Sequence, residues 1–174
     1  MNSEQLLITV FAEDHPGIVK ALSDTVLSQQ GNWLESSLSR LCGQFAGIVH
    51  LSVPAKNKST LLEQLEKLAD DGIKVTVQFD DVALSAEQND ALETLDIIVE
   101  ANDRPGIVEE ISSVLAQANI NVEHMETECV NASMAGYELF RAYLAVALPT
   151  GVDADKLEEL LEGVSDDLVV SITS

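Results

Sequence analysis

Apolar residues along the chain switch between a spacing of four and a spacing of two, in the same order in each half. Ile18, Leu22 and Val26, and later Ile107, Ile111 and Leu115, stand four apart and form one face of a helix. Phe45, Val49, Leu51 and Val53, and later Phe140, Leu144, Val146 and Leu148, fall on alternate positions, as in a strand with one buried face. Each half then meets a proline, Pro54 or Pro149, and an amphipathic helix: Leu61, Leu62, Leu65 and Leu68 in one, Leu157, Leu160, Leu161 and Val164 in the other. Val75, Val77 and Phe79, and Leu168, Val170 and Ile172, alternate in a closing strand. With the opening apolar run at residues 6–12, the first half predicts strand, helix, strand, strand, helix, strand, and the second half predicts the same.

The two halves are copies. Asp14-His15-Pro16-Gly17-Ile18-Val19 returns as Asp103-Arg104-Pro105-Gly106-Ile107-Val108 at an offset of 89, and Asn32 falls on Asn121. Past the second strand the offset becomes 95, which places six extra residues around 131–136, a small and polar run that reads as a longer hairpin connection. Cys42-Gly43-Gln44 does the same job more tightly in the first copy. The element order is the split βαβ arrangement: an α+β, ferredoxin-like βαββαβ unit with two helices on one face of a four-stranded antiparallel sheet. The expected division is a first unit at 1–81, a linker at 82–92 and a second unit at 93–174.

Composition narrows the function. An aliphatic-rich chain, 46% hydrophobic and 4% aromatic, folds around a core. Against 30 Asp+Glu it has 9 Lys+Arg, a formal net charge of -21. Such a surface is repelled by phosphate backbones and anionic leaflets, so direct nucleic-acid and membrane contact are disfavoured. The acid is uneven: residues 1–89 carry a net of -6 and residues 90–174 a net of -15. Neither a membrane-length apolar stretch nor a secretory signal pattern is present, and the expected location is cytoplasmic. Cys42 and Cys129 are too few for a disulfide framework and are expected as small buried hydrophobes.

The repeated turn offers chemistry. Pro and Gly end the first strand and open the first helix, whose leading N–H groups lack intrahelical partners and attract a carboxylate or phosphate. Asp14 and Asp103 can cap those amides or meet an ammonium group, while Asn32 and Asn121 offer donor and acceptor together. This suits a zwitterionic amino acid; the bland alternative is a plain strand-to-helix turn with a capping Asp. Catalysis has weaker raw material. His15, His50 and His124 show no metal-binding spacing, and no phosphate loop or nucleophile elbow is present. Glu123, Glu126 and Glu128 beside His124 read as a solvated strand edge, and Trp33 as core filling.

The two turns, each with its following asparagine, resemble the ACT domain, a small-molecule regulatory module of this topology. The wording Phe11-Ala12-Glu13-Asp14-His15-Pro16-Gly17-Ile18-Val19 is similar to that of the glycine cleavage system transcriptional repressor family. The resemblance implies a regulator, not an enzyme, that answers to an amino acid, glycine being favoured. It implies action through a DNA-bound activator protein. The uneven charge makes repeat two the expected face for a basic partner, and a homodimer is a further expectation. A stand-alone module regulating a metabolic enzyme, and a small His/carboxylate enzyme, are the alternatives. It implies no cofactor or metal. The ligand positions it implies are Asp14, His15, Gly17, Ile18 and Asn32, and Asp103, Arg104, Gly106, Ile107 and Asn121. Arg104 in place of His15 means that the two turns need not bind alike.

Overall fold

The computed structural model describes residues 3–79, 93–131 and 138–173. The chain divides into two compact units, residues 1–87 and 88–174. The expected linker at 82–92 and most of the longer hairpin connection lie outside the described residues.

In the first unit β1 (Ser3–Glu13) is followed by α1 (Ile18–Ser28), β2 (Asn32–Leu41), β3 (Gln44–Pro54), α2 (Lys58–Lys67) and β4 (Lys74–Phe79). The second unit repeats this with β5 (Glu93–Asn102), α3 (Ile107–Gln117), β6 (Asn121–Asn131), β7 (Glu138–Leu148), α4 (Ala154–Glu162) and β8 (Val169–Thr173). The sheets run β2-β3-β1-β4 and β6-β7-β5-β8, antiparallel throughout, as two crossovers and one hairpin per unit require.

Each sheet buries one face beneath its helices. Leu6, Ile8 and Val10 of β1 and Val49, Leu51 and Val53 of β3 meet Ile18, Leu22 and Val26 of α1 and Leu61 and Leu65 of α2, all at most 2% exposed. In the second unit Ile97 and Val99 with Leu144 and Val146 meet Ile111 and Leu115 of α3 and Leu157 and Leu161 of α4. The helix stripes four apart face the strand positions two apart, so both periodicities end in one core per unit. Trp33 packs at the edge of the first core.

Two details were not legible beforehand. Both edge strands carry a register shift at equivalent points, between Trp33 and Glu35 in β2 and between Val122 and His124 in β6. Both cysteines are exposed, contrary to the expectation of burial. Cys42 sits in a two-residue hairpin with Gly43, both at positive φ (50° and 76°), which turns its side chain out to solvent. Cys129 lies on the edge strand β6.

Candidate functional site

Each first strand ends against its own hairpin. The Asp14 N–H donates to the Gly43 carbonyl at 2.9 Å, and Asp103 N–H donates to Glu138 at the same distance. Beyond it the chain turns through Pro and then Gly17 or Gly106, at φ 104° and 93°, which cap α1 and α3. That dihedral admits glycine and strains other residues. Among the described residues no side chain caps either helix, and none stands within 4 Å of where a Cβ on Gly17 or Gly106 would sit. The first intrahelical bonds run from Ala21 N–H to Gly17 and from Glu110 N–H to Gly106. The amides of Ile18 and Val19, and of Ile107 and Val108, thus face outward without an intrahelical acceptor. The side chains of Ile18 and Ile107, at 2% and 3% exposed, are core plugs, so these residues offer a ligand their N–H groups alone.

The aspartates do not cap. Asp14 pairs with Arg40 of β2 at 2.5 Å, a partner that sequence reasoning missed. The equivalent position in β6 is Cys129, whose thiol lies beside the Asp103 carboxylate; partial desolvation, then that carboxylate, raise the thiol above its ordinary pKa. Repeat one therefore holds its aspartate against a guanidinium, and repeat two holds its aspartate against a neutral thiol. No ion pair to Asp103 is found among the described residues.

Arg104 follows the other branch anticipated for it, a pairing with a neighbouring acid. Its guanidinium donates in a fork to both oxygens of Glu110 on α3, at 2.8 and 2.5 Å. The fork raises the pKa of Arg104 and lowers that of Glu110 from the usual carboxylate value. Asp167, which accepts from Ser165 Oγ and from the Asn102 N–H at 3.0 Å, adds its field to Arg104. His15 stays local, its Nδ1 3.1 Å from the Pro16 carbonyl.

Asn32 and Asn121 are not brought to these turns. Asn32 opens β2 opposite Ser52, while the turn follows Glu13, which pairs with Gln44. Those points are eight residues apart along β3, or about 27 Å. Asn32 instead lines a recess of about 220 Å³ with Ser23, Asp24, Val26, Leu27, Gly31 and Trp33. A ligand held by both turn and asparagine needs the asparagine from outside the unit that supplies the turn.

The histidines are dispersed. His50 meets Gln5 Oε1 at 3.0 Å on the open face of the first sheet, and His124 lies on β6, 3.5 Å from Glu126. Among the described residues no three His, Cys, Asp or Glu side chains converge in the manner of a metal site, and no helix is long and apolar enough to cross a membrane. Glu123, Glu126 and Glu128 are exposed on the edge strand β6, and Glu128 accepts from Tyr143 Oη at 3.2 Å. Arg141 sits between Glu100, at 2.7 Å, and Glu128, at 3.5 Å, on the helix-free face of the second sheet.

Family models described as the ACT domain match residues 4–80 and residues 96–162. No curated protein matches the chain. A solved structure of an unknown protein from Galdieria sulphuraria is similar over 99% of this chain and 100% of its own, with a TM-score of 0.78 and 26% identity. Another, described as a "putative glycine cleavage system transcriptional repressor", is similar over 100% of this chain and 99% of its own, with a TM-score of 0.71 and 16% identity, a likeness of fold.

Proposed function

Because the chain belongs to the ACT-domain family, with one domain in each half, we propose that it is a regulator that reads a small amino acid and passes the reading on by protein–protein contact. The two domains and the end-to-end likeness to a protein described as a glycine cleavage repressor support a regulatory role. In the finer reading the effector is glycine and the partner is a DNA-bound transcriptional activator. The whole acts in the cytoplasm, as a non-enzyme.

The observation that carries this reading is the pair of uncapped helix N-termini behind Gly17 and Gly106, with open space above each glycine. Outward amides at a helix start take a carboxylate. The ammonium then needs an acceptor, and here the repeats part. Asp14 already pairs with Arg40, whereas Asp103 stands beside the Cys129 thiol. The second turn is thus the stronger candidate for a zwitterion, with Asp103 meeting the ammonium and the amides of Ile107 and Val108 meeting the carboxylate. The first turn, with its internal ion pair, suits a weaker or structural role.

The partner reading rests on charge. The net of -15 in the second half gives a basic surface a target there, and Glu123, Glu126 and Glu128 on β6 are its exposed edge. Calorimetric titration with the common amino acids, followed by capture of an activator from lysate with and without the binder, tests both steps. Saturable binding of glycine, lost in Asp103→Ala, and glycine-dependent capture are expected. Absence of binding by every amino acid at millimolar concentration contradicts the sensor reading. Capture of a metabolic enzyme in place of an activator supports the stand-alone module instead.

A further inference from the structure

The helix-free faces of the two sheets differ in character. In antiparallel pairs opposite residues share a face, so the helix-free face of the second sheet carries Asp96, Glu100, Glu126 and Glu128 around Arg141. The corresponding face of the first sheet carries fewer charges, Glu13, Glu35 and Lys74, all toward its margins. Its middle is Leu7, Phe11 and Ile48, with Phe11 49% and Ile48 47% exposed. Thr9, bonded to Gln78, and His50, bonded to Gln5, fill the gaps. Leu7, Ile48 and His50 line a recess of about 170 Å³ there with Glu35. In a chain of net charge -21, this is where a second negatively charged body can approach with least repulsion.

Glu13 lies at the turn end of this face, and two other charges on it are placed for self-pairing. Lys74 of β4 lies opposite Phe11, at one corner of the sheet, and Glu35 of β2 lies opposite His50, at the diagonal corner. A two-fold axis lying in the interface, perpendicular to that diagonal, carries each Lys74 onto the Glu35 of a second copy, twice over by symmetry. The axis crosses the strands at about 45°, so the two sheets meet with their strands near perpendicular, one of the two packings that sheets adopt. Ile48 and Thr9 of each copy then lie at the centre, and Phe11, one strand in from Lys74, packs over β2 of the other copy.

We propose that the helix-free face of the first sheet is a homodimer interface, centred on Ile48 and Thr9, flanked by Phe11 and keyed by reciprocal Lys74–Glu35 pairs. The footprint, four strands about 4.8 Å apart by about six residues of 3.4 Å, is roughly 400 Å² in projection. That is below the roughly 800 Å² of accessible surface per partner in a standard interface, so the dimer is reversible and concentration-dependent. This goes beyond the sensor reading and does not depend on it, because no residue of either turn takes part.

Sedimentation velocity of the full chain, from micromolar to submillimolar concentration, tests it. The wild type should pass from monomer to dimer, and Phe11→Glu should weaken the dimer by more than about tenfold, since it places two like charges in a closed interface. Leu27→Glu, on the far more exposed α1 position (72%), should leave the dimer intact. Lys74→Glu and Glu35→Lys should each weaken it, and the double exchange should restore it, which neither misfolding nor a general charge effect would do. Circular dichroism melts show that each variant is folded. A chain that stays monomeric throughout, a dimer that Phe11→Glu leaves unchanged, or a double exchange that fails to restore pairing overturns the proposal.

Discussion

Replacing Gly106 by valine separates the conformational role of the turn from its role in binding. At φ 93° the glycine occupies a region where a β-branched side chain is strained, and a Cβ there meets nothing within 4 Å. The structural cost is therefore backbone strain without a clash, about 2 kcal/mol. For a unit of this size that is a fall of roughly 8–16 °C in melting temperature, leaving a folded protein. The binding cost is separate, because the new side chain enters the open space at the turn where the ligand is proposed to sit. Scanning calorimetry with and without glycine reads both. At a ligand concentration of 100 times Kd the wild type should gain about 2.7 kcal/mol, and the variant should gain nothing. A variant that melts like the wild type refutes the strain argument. A variant that melts low yet keeps the full glycine-dependent gain refutes the placement of the ligand.

Further expectations follow from single contacts. Gly47→Ala should destabilise the first unit by about 3 kcal/mol or more, because a Cβ there would stand 2.1 Å from the Ser37 carbonyl oxygen and 2.7 Å from Leu38 Cα; chemical denaturation measures it, and a loss below about 1 kcal/mol would show that β2 yields easily. The Arg104 fork depresses Glu110 below its ordinary 4.5. Its stabilisation is thus present above that value and fades as pH falls through the lower folded value, so the melting difference between wild type and Glu110→Gln should shrink in acid. A difference that grows in acid would reverse the sign. The Cys129 thiol, raised by desolvation and by Asp103, should react sluggishly with a disulfide reagent at mildly alkaline pH, and Asp103→Asn should speed it; an unchanged rate would mean that the carboxylate does not act on the thiol.

The alternation of spacing four and spacing two was sufficient for the fold, because Leu22 and Leu51, or Ile111 and Val146, reach the core only if helix and strand face each other as they do. The turn was legible for a similar reason, since a Pro-Gly pair restricts the backbone locally. The ion pairs were not. Arg40 meets Asp14 only because β3, paired with both strands, brings the end of β2 level with the end of β1, a contact 26 residues apart that no local spacing marks. The repeat itself held one usable signal: at the offset of 89, Arg40 falls on Cys129. Asn32 follows α1 in sequence by only a few residues, yet the length of that helix carries it to the opposite end of the sheet from the turn. Proximity in the chain was a poor guide there. The cysteines illustrate the same limit, since their small size suggested burial while their positions in a tight hairpin and on an edge strand set them outside.

On the proposed function, the helix N-terminus behind the second Pro-Gly turn receives the carboxylate of a small amino acid, with Asp103 receiving its ammonium group. Titration of the isotope-labelled protein with glycine, followed by backbone amide resonances, tests this most directly. Saturable shifts are expected at Gly106, Ile107 and Val108, larger than any at Gly17, Ile18 and Val19, and are lost in Asp103→Ala. Saturable shifts confined to residues remote from both turns, or no saturable shift at any amide, would contradict it.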